Sequence, residues 1–195
     1  MESGGVEKLW SEVREVSLGR STSIERLDRP PSPLQFLRDF VSPNKPFIIS
    51  NTNLHWPALT KWNPNYLSQA LSQTTVSLHL SPNGRADSVV TLGDGGLCFA
   101  SAHVQRMLFN DALKMVEEEG VVAYLQEQND CFRSEYGLVS DDVDGDIQWA
   151  TSALGCLPDA VNLWIGNQRS ETSFHKDHYE NLYAVVSGNI CFFAF

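Results

Sequence analysis

Strand-type runs crowd the C-terminal part of this chain, while helical periodicity is concentrated upstream, and that asymmetry constrains the fold more than any other feature. Val121-Val122-Ala123-Tyr124-Leu125-Gln126, Ala160-Val161-Asn162-Leu163-Trp164-Ile165-Gly166 and Leu182-Tyr183-Ala184-Val185-Val186 are short apolar segments rich in β-branched and aromatic residues. Such segments predict strands. Helices first and strands later point to an α+β or mainly β architecture, not to alternating βαβ units. The chain has 195 residues. At that length a domain hides roughly 70% of the surface its unfolded form exposes, so neither disulfides nor a structural metal are needed merely to fold.

Upstream, Leu9, Val13 and Val16 recur at helical spacing over the first twenty residues. Pro30-Pro31-Ser32-Pro33 interrupts the chain, Leu34 to Val41 reads as a short helix, and Pro46 to Ser50 as a compact strand. Asn63 caps a helix that Pro64 opens and that runs to about Leu71. Thr75 to Leu80 alternates, which places Val76, Leu78 and Leu80 on one face and His79 on the opposite, wetter one. Val104 to Glu119 reads as a helix with Met107, Leu108, Met115 and Val116 in its apolar stripe and Gly120 as its stop. Leu92-Gly93-Asp94-Gly95-Gly96 lacks the lysine and the strand-to-helix context of a phosphate loop, and no G-x-S-x-G elbow occurs.

The formal charge is −10, from 14 Lys and Arg against 24 Asp and Glu. With no cluster of basic residues to neutralise phosphates, nucleic acid is not an expected partner. Between Glu117 and Asp146 stand ten acids and one base, Arg133. That segment either attracts a basic, lysine-rich protein substrate or is a solvated helix end with a surface loop. It is not a calcium loop, because Gly145 in the sixth position would put Ser140 first and Thr151 twelfth, where Asp and Glu are required. Cys98, Cys131, Cys156 and Cys191 form no C-x-x-C pair and are expected as reduced thiols in core or neutral positions. The N-terminus has neither a secretory signal nor a transit peptide, and no run is long enough to span a membrane. The expected location is the nucleus, the cytoplasm or both.

Chemistry concentrates in Thr172-Ser173-Phe174-His175-Lys176-Asp177-His178-Tyr179-Glu180-Asn181-Leu182-Tyr183. In extended chain, residues two apart project to one face, so the His175 imidazole and the Asp177 carboxylate can share a metal ion. Two histidines and one carboxylate make the facial triad of non-haem Fe(II) oxygenases, and His175 and Asp177 would be two of its three legs. The alternative is a surface histidine beside a salt-bridging acid. His178 falls off the shared face and reads as a residue behind the ligands or at the surface.

Val161 to Gly188 resembles the JmjC-domain oxygenases, in particular the Jumonji domain-containing protein 7 type, including its plant members. Asn44-Lys45-Pro46-Phe47-Ile48-Ile49, Ser77-Leu78-His79-Leu80 and Tyr124-Leu125-Gln126 extend the likeness over most of residues 1–188. The resemblance implies a cupin-like double-stranded β-helix and an enzyme that uses Fe(II) and 2-oxoglutarate. It implies His175 and Asp177 as metal ligands and catalytic residues, Tyr124 and Thr172 as hydroxyl donors to the co-substrate, and Asn181 as a polar neighbour of it. Lysyl hydroxylation or histone lysine demethylation of a protein substrate is the activity it implies, with a homodimer by analogy.

The resemblance ends at Gly188. Ile190 stands where the family has a lysine for the distal co-substrate carboxylate, and His55, His79 and His103 match no ligand position. The chain runs 18 residues past Asp177 and contains no third ligand there. The expected organisation is an N-terminal helical or α+β part over 1–120, the start of the catalytic core over 121–188 and a divergent apolar tail over 189–195. On this reading the chain is a truncated isoform or an incomplete gene model whose barrel is not closed, inactive as it stands. The alternative is a non-catalytic binding fragment.

Overall fold

The computed structural model describes residues 8, 9, 12, 23–173, 175 and 177–192, and two compact units divide the chain. The helix expected over the first twenty residues falls mostly outside the described residues. One unit comprises Met1–His55, Asp146–Pro158 and Glu180–Phe195, and the other Trp56–Gly145 and Asp159–Tyr179.

In the first unit, β1 (Glu25–Leu27) pairs in parallel with β2 (Phe47–Ile49). Between them lies α1 (Pro33–Phe36), which continues into one π turn over Leu37–Val41. Ser32 caps α1 by accepting from the Gln35 backbone N–H at 3.2 Å, and Pro33 occupies the first turn, where its missing N–H costs nothing. The helix buries Phe36 and the π turn buries Phe40. Phe40 stacks on Phe47 at 4.0 Å, and Phe36 meets Trp149 of α2 (Gln148–Leu154) edge-on at 5.1 Å. Aromatic pairs in these geometries add stability beyond the area they bury. Gly155, at φ +74°, closes that helix in the left-handed conformation that glycine adopts without strain.

The second unit is built on β3 (Thr75–Ser81), flanked by β7 (His103–Leu108) and β8 (Val122–Tyr124), both antiparallel to it. Before it come α3 (Ala58–Lys61) and α4 (Pro64–Ala70); as expected, the Asn63 side chain accepts from Tyr66 N–H at 3.0 Å to start α4. After β7 comes α5 (Phe109–Glu117), whose Phe109, Ala112, Leu113 and Val116 are buried at helical spacing against Val76, Leu78 and Ala123 of the sheet. Helix α6 (Cys131–Glu135) and the 3-10 turn Gly137–Asp142 contribute Cys131, Phe132, Tyr136 and Val139 to the same core. Two small sheets complete the unit: β5 (Ser88–Thr91) with β6 (Leu97–Ala100), and β4 (Arg85–Ala86) with β9 (Glu171–Thr172). The Leu92–Gly96 segment that is no phosphate loop is the β5–β6 turn, closed by a Leu92 N–H to Gly96 O bond of 2.7 Å. At Gly84 the chain passes so close to Arg169 that a β-carbon would stand 1.9 Å from its carbonyl oxygen, and φ is +86°. Only glycine meets both conditions.

Mixed helices and sheets are therefore observed, and among the described residues none of the four sheets closes into a barrel. Several sequence expectations need correction. His103 to Leu108 is a strand, because six residues in register with β3 satisfy its backbone, and helix begins only at Phe109. Leu108 is consequently exposed instead of part of an apolar stripe. Ala160 to Gly166 forms no strand beyond one bridge, Ile165 to Leu125, and Leu182 to Val186 forms none; neither run has a continuous hydrogen-bonded partner among the described residues. The face of β3 opposite Val76 and Leu78 is not wet: Ser77 is buried and His79 half-buried, since Glu135 and Glu127 cover them.

Candidate functional site

Tyr124 ends β8, directly across from His79 of β3. The next residue, Leu125, is fastened to Ile165 by two backbone bonds of 3.0 and 2.9 Å. This bridge brings the segment after Ile165 alongside Tyr124. That segment is a tight, internally bonded loop: Ser170 N–H donates to Asn167 O at 3.0 Å, and Asn167 N–H donates to Ser170 Oγ at 3.1 Å. The Asn167 amide donates to Val116 O, while the Arg169 guanidinium donates to Glu118 O and, at 3.0 Å, to Gly120 O. A cation on the carbonyls that end a helix is favoured by their partial negative charge. The loop thus delivers Glu171 and Thr172 into β9, where Arg85 pairs with Glu171 at 2.8 Å.

Two of the expected pairs are brought together. Tyr124 and Thr172 come into each other's reach: burial pushes the Tyr124 phenol above its ordinary range, and the Thr172 hydroxyl partly offsets this. His175 and Asp177 face each other with Nε2 and Oδ1 3.4 Å apart, both side chains about half exposed at 50% and 42%. On its other side, His175 Nδ1 lies 2.7 Å from the Ser173 carbonyl, which can only accept, so Nδ1 carries the proton. In the neutral ring the Nε2 lone pair then points at a carboxylate oxygen. A protonated ring would make this an ion pair with Asp177; a neutral ring leaves a nitrogen and a carboxylate oxygen that one cation could share, a donor set of the kind that suits Fe(II). The residues fit two positions of a metal centre; among the described residues no group of three His, Cys, Asp or Glu gathers to hold a metal. Asn181 is exposed and belongs to the other compact unit, and His178 is exposed.

The acidic segment divides in a way that neither sequence reading anticipated. Glu117, Glu118, Glu119, Asp141 and Asp144 are exposed, as a solvated surface requires. Asp142 instead is buried at 4% exposure and accepts from Lys61 Nζ at 2.9 Å, Trp62 Nε1 at 3.0 Å and Tyr66 Oη at 2.6 Å. Burial alone would raise its carboxyl, but these three donors outweigh it and hold the group below the usual carboxylate range. Glu135 accepts from the Ser77 backbone N–H at 2.9 Å and the Ser77 hydroxyl at 2.6 Å, with Arg106 at 3.3 Å. The available signal was weak: Lys61, Trp62 and Tyr66 cluster in sequence, yet their acceptor lies more than seventy residues away.

All four cysteines are free thiols. Cys131 is buried and its thiol is pushed up to about 11, chiefly by burial, whereas Cys156 and Cys191 are exposed and not core positions. Among the described residues no helix is long and apolar enough to cross a membrane.

A family model described as a cupin-like domain matches residues 33–193. The chain is 62% identical over 187 residues to lysine-specific demethylase JMJ32 of Arabidopsis thaliana, covering 94% of this chain and 53% of that protein. It is 40% identical over 193 residues to the bifunctional peptidase and (3S)-lysyl hydroxylase JMJD7 of Homo sapiens, covering 96% of this chain and 60% of that protein. JmjC domain-containing protein E of Dictyostelium discoideum is 31% identical over 180 residues, covering 87% of this chain and 51% of that protein. The chain thus spans between about half and three-fifths of the length of these relatives.

Proposed function

Since the chain belongs to the cupin-like domain family, we propose that it carries part of the active centre of a protein-directed JmjC oxygenase dependent on Fe(II) and 2-oxoglutarate. The observation that carries this reading is the meeting of His175 Nε2 with the Asp177 carboxylate at 3.4 Å, with Nδ1 occupied by Ser173. His175 and Asp177 are the residues that would hold the iron. The hydroxyls of Tyr124 and Thr172, which lie within each other's reach, would donate to a carboxylate of 2-oxoglutarate. Iron with 2-oxoglutarate and dioxygen supplies, when bound, the oxidation of an unactivated C–H bond.

The chain's own residues bind and orient. The Ser173 carbonyl accepts from Nδ1–H, so the lone pair of a neutral ring lies at Nε2, the atom that would meet the metal. The half-buried Tyr124 ring keeps its hydroxyl in a setting where a hydrogen bond to an anion is stronger than in water. The core of this oxygenase begins in residues 121–188 and belongs to a double-stranded β-helix. The relatives are named for demethylation and hydroxylation of lysine, which supports a lysine-bearing protein substrate here, and exposed Glu117, Glu118 and Glu119 suit a basic segment.

The test uses Mn(II) as a redox-silent stand-in. Calorimetric titration of the purified chain with 2-oxoglutarate is expected to show saturable binding that requires Mn(II) and weakens at least tenfold in His175→Ala and Asp177→Ala. Binding indifferent to the metal and to both substitutions would overturn the reading. Succinate release with Fe(II), 2-oxoglutarate and oxygen then separates an oxygenase from a binding-only fragment.

A further inference from the structure

Gly166 follows directly on the Ile165 bridge and stands against the ring of Tyr124. A β-carbon built on it would lie 2.8 Å from Tyr124 Cδ2, 2.6 Å from Ser170 Oγ and 2.9 Å from Ser170 Cβ. Carbon atoms not bonded to each other settle at about 3.5–4.0 Å, so any side chain here collides on two sides. The backbone of Gly166 is not left-handed. What the position uses is the missing side chain, not conformational freedom.

Neither neighbour yields easily. Tyr124 is held in β8 by its pairing to His79, and Leu125 by both bonds to Ile165. Ser170 is tied to Asn167, and the loop carrying both is fastened to Val116, Glu118 and Gly120. A side chain at 166 must therefore displace the aromatic ring or the loop. Either movement shifts Tyr124 relative to Thr172, which lies two residues beyond Ser170 and acts on the Tyr124 phenol.

We propose that Gly166 is a positioning residue for 2-oxoglutarate binding: it is the bare seat against which the Tyr124 ring rests, and it keeps the Tyr124 and Thr172 hydroxyls together. The binding part of this inference rests on the assignment of Tyr124 and Thr172 to the co-substrate; the seat itself does not.

Ring-labelled tyrosine NMR on the full chain separates the two. The chain has five tyrosines, and Tyr124→Phe identifies the Tyr124 signal by its loss. In Gly166→Ala that signal is expected to shift while the tyrosines outside this loop's reach stay in place, and Mn(II)-dependent affinity for 2-oxoglutarate to fall about tenfold. In a Tyr124→Phe background, Gly166→Ala is expected to add less than twofold to the loss, because the hydroxyl it positions is already gone. An unmoved Tyr124 signal overturns the seat whatever the co-substrate does. A moved signal with equal losses in both backgrounds overturns the positioning role. If Tyr124→Phe leaves affinity unchanged, the co-substrate assignment fails and the positioning role with it, while the NMR shift still decides the seat. Should Gly166→Ala fail to fold, the same change in a Tyr124→Ala, Ser170→Gly chain, where both colliding side chains are gone, is expected to melt with that background; failure there overturns the proposal.

Discussion

Asp142 and Asp177 are both carboxylates that meet partners in the second unit, and they are built for different ends. Asp142 is buried and receives an ammonium, an indole N–H and a phenol, so its negative charge is saturated by donors within the fold. Asp177 is about half exposed and faces an imidazole nitrogen that carries no proton in the neutral ring. One arrangement removes charge from circulation; the other leaves a carboxylate and an imidazole together at the surface, the pair proposed to hold a metal. The contrast shows why an acidic count alone says little about function. Of the ten acids between Glu117 and Asp146, Asp142 and Glu135 are occupied in holding helix and turn to the sheet or to each other.

This comparison can be broken experimentally. The largest effect is expected at the exposed pair: Asp177→Ala should weaken Mn(II)-dependent 2-oxoglutarate binding by about a hundredfold, equivalent to about 2.8 kcal/mol, while the melting temperature moves by less than about 2 °C, as for other exposed substitutions. A large loss of stability with little loss of affinity would reverse the assignment of roles. Asp142→Ala should do the opposite, costing about 2 kcal/mol in denaturant unfolding, because it leaves the Trp62 and Tyr66 donors without their acceptor, with metal-dependent binding per folded molecule unchanged. Glu135→Gln, which retains one acceptor for Ser77 but loses the charge, should cost about 1 kcal/mol in the same measurement.

The smallest effect is in pH. The Asp142 carboxyl is held below its ordinary value in the folded chain, so it contributes stability above the unfolded value of about 3.9 and loses it as pH falls through the lower folded value. The stability difference between the native chain and Asp142→Asn is therefore expected to shrink as pH is lowered from 7 toward 3. A constant difference over that range would remove Asp142 as an ionised hub.

Local signals were legible where the cause was local. Asn63 and Pro64 start a helix because a side-chain acceptor and a pre-set backbone angle act within three residues. Phe47 to Ile49 is a strand from its own apolar, β-branched composition. Val104 to Leu108 fits a helical stripe, through Val104, Met107 and Leu108, as well as a strand; pairing with β3 decides for the strand. Val161 and Val185 lie in runs of good strand composition, yet composition cannot supply the neighbouring strand whose N–H and C=O groups a ladder needs. The His175 and Asp177 spacing predicted that these two side chains share a face, and they do meet at 3.4 Å, but nothing in the sequence indicated that the Ser173 carbonyl would take the other ring nitrogen.

By itself, the sequence determined the family, the capped helices and the identities of the candidate site residues, since these follow from residue type and short-range spacing. Only the tertiary structure decided which acids are spent on the fold and which stay exposed, that Tyr124 and Thr172 meet, and that position 166 has no room for a side chain. Those outcomes depend on residues tens of positions apart occupying the same few ångströms, and volume exclusion and hydrogen-bond saturation exist only once the chain has packed.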